Sequence, residues 1–128
     1  MTEPLSTEPL AVIIEDHAET ADVFVKALES AGFATKIIVD GRQALAELPA
    51  LRPVLITLDL QLPYVSGEKV LEQIRGNERL SGVRVVLVTA EQQLASHLED
   101  EVDLILLKPV PFDQLRELAS RWHARLVG

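Results

Sequence analysis

The amino-acid sequence predicts an α/β protein in which a five-stranded parallel sheet is covered by helices on both faces. Short apolar runs alternate with segments of helical spacing five times from residue 10 onward. The runs are apolar at almost every position, which is typical of parallel strands buried on both faces. The length agrees with this fold class, because 128 residues form one domain with a core of its own.

Each predicted element has its own reason in the local sequence. Apolar runs, the first of them rich in β-branched residues, predict strands at residues 10–14, 34–39, 54–58, 83–89 and 104–107. Helical spacing predicts helices at residues 17–31, 41–48, 67–75 and 91–99, and a last helix with Pro111 in its first turn. Gly32 stands where a glycine ends a helix, and Pro49 stops the second helix. The last helix is predicted to face the core with Leu115, Leu118, Ala119, Trp122 and Leu126.

The first nine residues differ from the rest of the chain. They hold two prolines, which cannot join a helix or a central strand, so we expect a flexible tail at 1–9 and one domain at 10–128. The tail lacks the positive and apolar regions of a signal peptide. No apolar run approaches the length that crosses a bilayer. We therefore expect a cytoplasmic protein without a membrane segment.

Composition and charge exclude several classes of function. Apolar residues make up 48% of the chain and charged residues 25%, which is globular rather than disordered composition. The absence of cysteine excludes disulfides, thiolate metal sites and a cysteine nucleophile. A net charge of −8 argues against direct nucleic-acid binding and suits a hard cation or a basic partner surface.

Polar side chains follow the predicted strands where the strands end. Glu15 and Asp16 follow the first strand, Asp59 follows the third, Thr89 ends the fourth, and Lys108 follows the fifth. Because the carboxyl ends of parallel strands meet at one edge, these side chains should share one pocket. Three close carboxylates repel one another unless a cation lies among them.

The chemistry of that pocket points to phosphoryl transfer. Oxygen ligands without histidine or cysteine favour Mg²⁺ or a similar hard ion, and a partly hydrated Mg²⁺ on carboxylates is suited to receive a phosphoryl group. Asp59, on the middle strand, is the candidate nucleophile, and Thr89 could hydrogen-bond a phosphoryl oxygen. A single acid after a strand is more often a helix cap, and Asp16 could cap the first helix. The three histidines are predicted to face solvent, with His17 near the rim of the pocket.

Four motifs in order resemble the response regulator receiver domain, the CheY-like module of two-component signalling. They are VIIEDH (12–17), LITLDLQLPYVSGEKVL (55–71), VVLVTAE (85–91) and LILLKPV (104–110). The resemblance covers residues 10–127. It implies a flavodoxin-like three-layer fold with strand order 2-1-3-4-5 and five helices.

The resemblance also implies roles for the acidic residues. Asp59 matches the aspartate that accepts a phosphoryl group from a histidine kinase or a histidine phosphotransfer protein. Asp16 matches the acid that binds Mg²⁺ directly, and Glu15 its neighbour, which often holds the metal through water. Gln61 stands where the family uses a backbone carbonyl as metal ligand.

The remaining matches concern the switch between inactive and active states. Thr89 matches the hydroxyl that turns toward the phosphoryl group, and Lys108 the lysine that pairs with it, followed by Pro109, often in a cis peptide. The chain departs from the family at Ile105, where an aromatic switch residue is usual. Leu104 replaces an aspartate used for dimer salt bridges in one subfamily, so that mode of dimerisation is in doubt.

We therefore predict a stand-alone receiver, phosphorylated on Asp59 with Mg²⁺, whose output is binding to a downstream protein. It would act in a bacterial phosphorelay as a monomer or weak homodimer, without direct nucleic-acid binding. It is a phosphoacceptor rather than an enzyme, although it would catalyse its own phosphotransfer and slow hydrolysis. One alternative is a pseudo-receiver that keeps the fold without cycling phosphate. Another is an aspartyl phosphatase, which Gln61 disfavours because such enzymes carry a second acid there.

Overall fold

The computed structural model describes residues 8–127, and within them the predicted α/β architecture is confirmed. Residues 1–7 of the expected tail, and Gly128 at the expected domain end, lie outside the described residues. The backbone carbonyl of Pro9 accepts a hydrogen bond from the backbone N–H of Ala34 at 2.9 Å. Backbone pairing with the second strand therefore begins at Pro9, one residue before the first strand.

The described residues form five strands and five α-helices in alternation. The strands are β1 (Leu10–Ile14), β2 (Ala34–Ile38), β3 (Leu55–Asp59), β4 (Arg84–Thr89) and β5 (Leu104–Leu107). The α-helices are α1 (Ala18–Ser30), α2 (Gly41–Glu47), α3 (Gly67–Gly76), α4 (Gln92–Ser96) and α5 (Phe112–Val127). Short 3₁₀ turns span Leu48–Ala50, Glu78–Leu80 and Glu99–Glu101. None of the described helices combines the length and apolar character needed to cross a membrane.

The strands pair in parallel in the order β2-β1-β3-β4-β5, as the resemblance implies. In the register, Ile14 lies opposite Leu58, and Asp59 lies opposite Val88. The ends of β1, β3 and β4 are therefore level with one another. This register places the residues that follow the strands at one edge of the sheet.

The core lies in two layers, one on each face of the sheet. Successive residues of a strand face opposite sides, so alternate residues enter different layers. One layer packs α2, α3 and α4 on Val12, Ile14, Ile56, Leu58, Val85 and Leu87. The other packs α1 and α5 on Ala11, Ile13, Leu55, Val86 and Val88. Both layers are built from aliphatic side chains of the central strands.

Helix α4 is shorter than the sequence predicts. The helix expected at 91–99 ends at Ser96, and a 3₁₀ turn at Glu99–Glu101 follows. Three successive carboxylates at a helix C-terminus oppose the helix dipole, which accounts for the early end. The second helix also ends before Pro49, which lies in the 3₁₀ turn Leu48–Ala50.

Three details predicted for the last helix, α5, are wrong. The helix begins at Phe112, so Pro111 precedes it rather than lying in its first turn. The backbone carbonyl of Pro111 accepts a hydrogen bond from the backbone N–H of Leu115. Leu126 is 44% exposed rather than facing the core, because it lies one turn beyond Trp122, where packing ends. Trp122 is half-buried and lines a cavity of about 240 Å³ with Leu55 and Arg84, the first residues of β3 and β4.

The third wrong prediction concerns His123, which is half-buried rather than facing solvent. Its ring meets Phe33 edge to face, with the ring centroids 5.4 Å apart. Gly32, with φ at +105°, makes room for this contact: a Cβ there would lie 2.7 Å from the His123 Nε2. The same glycine thus ends α1 and admits the imidazole. His97 is exposed, as predicted.

We expect Leu71→Ala to lower the free energy of unfolding by about 2–5 kcal/mol, because the side chain lies in the core on α3 and its removal leaves a cavity. Urea unfolding followed by circular dichroism measures this change. Leu94→Ala, on the exposed face of α4, is the matched control and should change stability far less. Equal losses in the two variants would contradict the layer assignment.

Candidate functional site

The carboxyl edge of the sheet brings four predicted site residues together. Glu15 follows β1, Asp59 ends β3, Thr89 ends β4 and Lys108 follows β5. Glu15, Asp59 and Thr89 are buried, at 2%, 3% and 0% exposure. Two carboxylates and a hydroxyl are thus largely withdrawn from solvent, which is costly unless each has partners.

The Lys108 ammonium joins the two buried carboxylates. Its Nζ lies 2.8 Å from Glu15 Oε1 and 3.0 Å from Asp59 Oδ2. Partial burial acts to lower the pKa of Lys108, but hydrogen bonds and charge from the two carboxylates outweigh it and raise the pKa above its usual value. Lys108 is therefore held as a cation between the ends of β1 and β3.

Backbone pairing fixes the position of Lys108. The backbone N–H of Lys108 donates to the carbonyl of Thr89 at 2.9 Å, so the chain after β5 stays against the end of β4. The peptide bond between Lys108 and Pro109 is cis, as is frequent in the family that the sequence resembles. From its place beside the end of β4, the Lys108 ammonium reaches Asp59 at the end of β3.

Asp59 is held at both oxygens. While Oδ2 faces Lys108, Oδ1 accepts a hydrogen bond from the backbone N–H of Gln61 at 3.0 Å. Helix α3 begins so close to Asp59 that a Cβ on Gly67 would collide with the carbonyl oxygen of Asp59. Only glycine allows this approach, so the start of α3 packs directly against the end of β3.

The loop between Asp59 and α3 also packs against α2. The backbone N–H of Gly41 donates to the carbonyl of Pro63 at 3.2 Å, and a Cβ on Gly41 would collide with the carbonyl of Val65. The Arg42 guanidinium lies 3.6 Å from the centroid of the Tyr64 ring. This contact joins residues far apart in the chain, and no motif in the sequence indicates it.

Asp16 and His17 complete the acidic edge. Asp16 does not cap α1: His17 occupies the N-cap position, and its side chain makes no capping hydrogen bond. Asp16 Oδ1 is buried and has no hydrogen-bond partner among the described residues. The Nδ1 atom of His17 lies 3.4 Å from it. A buried carboxylate oxygen without a partner calls for a cation or a water.

The donor set fits a hard divalent cation. Donor atoms of Glu15, Asp16, His17 and Asp59 all lie within 4.8 Å of one another. Carboxylate oxygens are the ligands that Mg²⁺ prefers, and the unpaired oxygen of Asp16 would gain a partner. The carbonyl of Gln61, which the resemblance implies as a further ligand, belongs to the residue whose N–H binds Asp59.

Thr89 and Ile105, the two predicted switch residues, lie on the neighbouring strands β4 and β5. The Thr89 hydroxyl accepts a hydrogen bond from the backbone N–H of Glu91 at 3.0 Å. The Gln61 side chain reaches Glu91 Oε1 at 3.4 Å, a contact that sequence analysis did not find. Ile105 is half-buried and packs on the core layer of α2, α3 and α4. Their switch roles remain predictions.

This sheet order, with acids and a lysine at the carboxyl edge, defines a receiver-type α/β module. The chain belongs to the response regulator receiver domain family, whose model matches residues 11–120. The family was expected from the four sequence motifs, and the match confirms it.

Among curated relatives, the DNA-binding response regulator MtrA of Mycobacterium tuberculosis (strain ATCC 25618 / H37Rv) is 36% identical over 118 residues. The match covers 90% of this chain and 49% of MtrA, so the chain spans about half the length of such relatives. The probable methanogenesis regulatory protein FilR2 of Methanothrix harundinacea (strain 6Ac) is 32% identical, with 88% of this chain and 83% of FilR2 covered.

Solved structures agree on the fold. The signal receiver domain of a putative LuxO repressor protein from Vibrio parahaemolyticus has a TM-score of 0.79 at 27% identity, covering 94% of this chain and 95% of that one. The receiver domain of the sensor histidine kinase PA1611 from Pseudomonas aeruginosa PAO1, which holds a magnesium ion in its active-site cleft, has a TM-score of 0.80 at 24% identity. That match covers 92% of this chain and 99% of the PA1611 domain and supports the fold alone.

We expect the Lys108 ammonium to stabilise the fold at neutral pH and to lose this effect as the pH rises through its raised folded-state pKa. The unfolded value is the lower one, so the contribution is complete below 10.5 and declines above it. Lys108→Met removes the charge and keeps an apolar stem. The difference in free energy of unfolding between the parent protein and this variant should shrink above that pH, as measured by urea unfolding in EDTA.

Lys69→Met, on the exposed first turn of α3, is the control for the same experiment. Its difference from the parent protein should be small at every pH, because exposed charges contribute little. A Lys108→Met difference that stays constant through the alkaline range would contradict the ammonium's role.

Proposed function

We propose that this receiver accepts a phosphoryl group on Asp59 from a phosphohistidine donor in the bacterial cytoplasm, with Mg²⁺ as cofactor. The observation that carries the proposal is the setting of the Asp59 carboxylate. It is buried between the Lys108 ammonium and the backbone N–H of Gln61, beside the unpaired oxygen of Asp16. A nucleophile, a cation and a metal-ligating acid therefore occupy one small space.

In the proposed reaction a carboxylate oxygen of Asp59 forms a bond to phosphorus. The phosphorus–nitrogen bond of the donor breaks, and its electron pair returns to the imidazole of the donor. Lys108 would face the negative oxygens of the transferred group, since its Nζ already lies 3.0 Å from Asp59. A bound Mg²⁺, held by Asp16, Asp59, the Gln61 carbonyl and Glu15 through water, would supply further charge neutralisation. Attack of water on the phosphorus atom would then break its bond to the Asp59 oxygen, release inorganic phosphate and restore the carboxylate.

A cleft beside Lys108 supports access for the donor. Asp59 is almost fully buried, so a large partner must approach through an opening at the strand ends. The cleft measures about 510 Å³, and its walls are α1 and the segment after β5, with Val23, Phe24 and Val110 among its lining residues. Ala90 also lines it, and its small side chain leaves the way to Lys108 open. We place the phosphohistidine protein on this side of the domain.

We propose that phosphorylation shifts a pre-existing equilibrium between two conformations and that the output is contact with a downstream protein. The net charge of −8 disfavours nucleic-acid contact by these residues themselves. MtrA binds DNA as a longer protein, and the present chain matches about half of it. Leu104 lacks the charge used in one known dimer interface, so we propose a monomer or a weak homodimer.

Acetyl phosphate tests phosphoryl acceptance directly. We expect a single phosphoryl adduct by intact-protein mass spectrometry with Mg²⁺, and none with EDTA. Asp59→Asn should give no adduct, because an amide lacks the nucleophilic carboxylate.

Asp100→Asn is the matched control, since Asp100 is exposed in the 3₁₀ turn far along the chain. It should be phosphorylated like the parent protein. An adduct that persists in Asp59→Asn would contradict the choice of acceptor. A folded protein that takes no phosphoryl group, even from a phosphohistidine protein, would favour the pseudo-receiver alternative.

The proposed switch has its own test in Thr89→Val, which keeps the volume and removes the hydroxyl that binds the Glu91 N–H. We expect Asp59 still to be phosphorylated. The phosphorylation-dependent shift of the Ile105 methyl signal in NMR spectra should be lost or much reduced, because the two residues lie on neighbouring strands.

Thr35→Val is the control for the switch, since that hydroxyl binds Glu29 at the opposite edge of the sheet. It should leave the Ile105 response intact. An unchanged response in Thr89→Val would show that Thr89 is not part of the switch.

A further inference from the structure

His17 occupies a position where its ring serves no capping role. It is the N-cap residue of α1, a position that favours serine, threonine, aspartate or asparagine because their short side chains bind the first free N–H groups. The His17 side chain makes no such bond. Its ring is turned instead toward the acidic edge of the site.

The ring nitrogen lies at the spacing of a metal ligand. His17 Nδ1 is 3.2 Å from Glu15 Oε2 and 3.4 Å from Asp16 Oδ1. Two ligands about 2.1 Å from one metal ion and at right angles lie about 3 Å apart. The distance from the nitrogen to Asp16 Oδ1 is therefore close to the distance between two neighbouring ligands of one ion.

The Glu15 carboxylate already has hydrogen-bond partners, among them the imidazole, whose Nδ1 lies 3.2 Å from Oε2. Glu15 Oε2 already accepts a hydrogen bond from the backbone N–H of His17 at 3.1 Å, and Oε1 faces Lys108. Asp16 Oδ1, in contrast, has no hydrogen-bond partner among the described residues. A cation between Asp16 and the imidazole would give that buried oxygen a partner.

We propose that the imidazole Nδ1 of His17 is a direct ligand of the divalent metal and biases the site toward ions that accept nitrogen. The proposal rests on the metal site of the proposed function. Mg²⁺ prefers oxygen ligands and gains little from an imidazole, whereas Mn²⁺, and more strongly Co²⁺ and Ni²⁺, bind nitrogen well. The side chain is 71% exposed, so the ring can adjust without disturbing the core.

The test uses Mn²⁺ as the probe, because pulsed electron paramagnetic resonance detects a ¹⁴N nucleus bound to that ion. We expect an imidazole nitrogen signal in the parent protein and none in His17→Ala. Calorimetry should show a loss of Mn²⁺ affinity of about tenfold, the scale seen when groups around a bound metal are removed. The loss of Mg²⁺ affinity should be much smaller.

Two further variants separate ligation from capping and from histidine content. His17→Asn restores a good cap but lacks the imidazole, so it should also lose the nitrogen signal. His97→Ala removes an exposed histidine at the end of α4 and should keep both the signal and the affinity.

Two results overturn the proposal in distinguishable ways. Mn²⁺ that binds, is weakened by Asp16→Asn and shows no nitrogen signal would remove His17 from the site and leave the metal site intact. Mn²⁺ binding that is absent, or indifferent to Asp16→Asn, would remove the metal site and with it both proposals. Thermal unfolding without metal, expected to be similar for His17→Ala and the parent, confirms that the variant folds.

Discussion

A single ammonium group holds the carboxyl edge of this sheet together. Glu15 and Asp59 are both buried, and their charges would repel each other without a cation between them. Lys108 lies within 3.0 Å of both. Because strand order separates β3 from β5 by one strand, the lysine must reach across β4 to do this. The contacts of Lys108 with both carboxylates therefore depend on the strand order.

Glycines at two positions allow two helices to pack closely around the end of β3. Gly67 brings the start of α3 against the carbonyl of Asp59, and Gly41 brings α2 against the loop that follows Asp59. A side chain at either position would push the loop away from the sheet. The Asp59 carboxylate therefore lies at the end of β3, beside a loop that packs against both helices.

The sequence predicts the fold well because the strands are mostly apolar and a polar residue lies at or near the end of each. The strand boundaries of β1 and β5 agree with the prediction, β2 and β4 are each one residue shorter, and β3 is shifted by one residue. The position of the candidate site followed from the rule that parallel strands end at one edge. The roles of Asp59, Thr89 and Lys108 within it remain predictions.

Other features depend on side-chain directions that no periodicity reveals. The contact between Gln61 and Glu91 joins two loops thirty positions apart, and the unpaired oxygen of Asp16 depends on how one carboxylate is turned. The early end of α4 reflects charge at a helix terminus rather than apolar spacing. Leu126 fits the spacing of the inner face but lies beyond the surface available to cover it.

The position of Trp122 has a consequence for optical studies of this domain. The only tryptophan lies beside the first residues of β3 and β4, at the end of the sheet opposite to Asp59. Strands of this length span about 17 Å, so the indole is far from any ion or phosphoryl group at the carboxyl edge. Its fluorescence should follow unfolding and remain insensitive to occupancy of the site. Tyr64, the only tyrosine, is 72% exposed in the loop after Asp59 and is the natural chromophore for events there. The chain therefore carries two separate intrinsic probes, one for stability and one for chemistry.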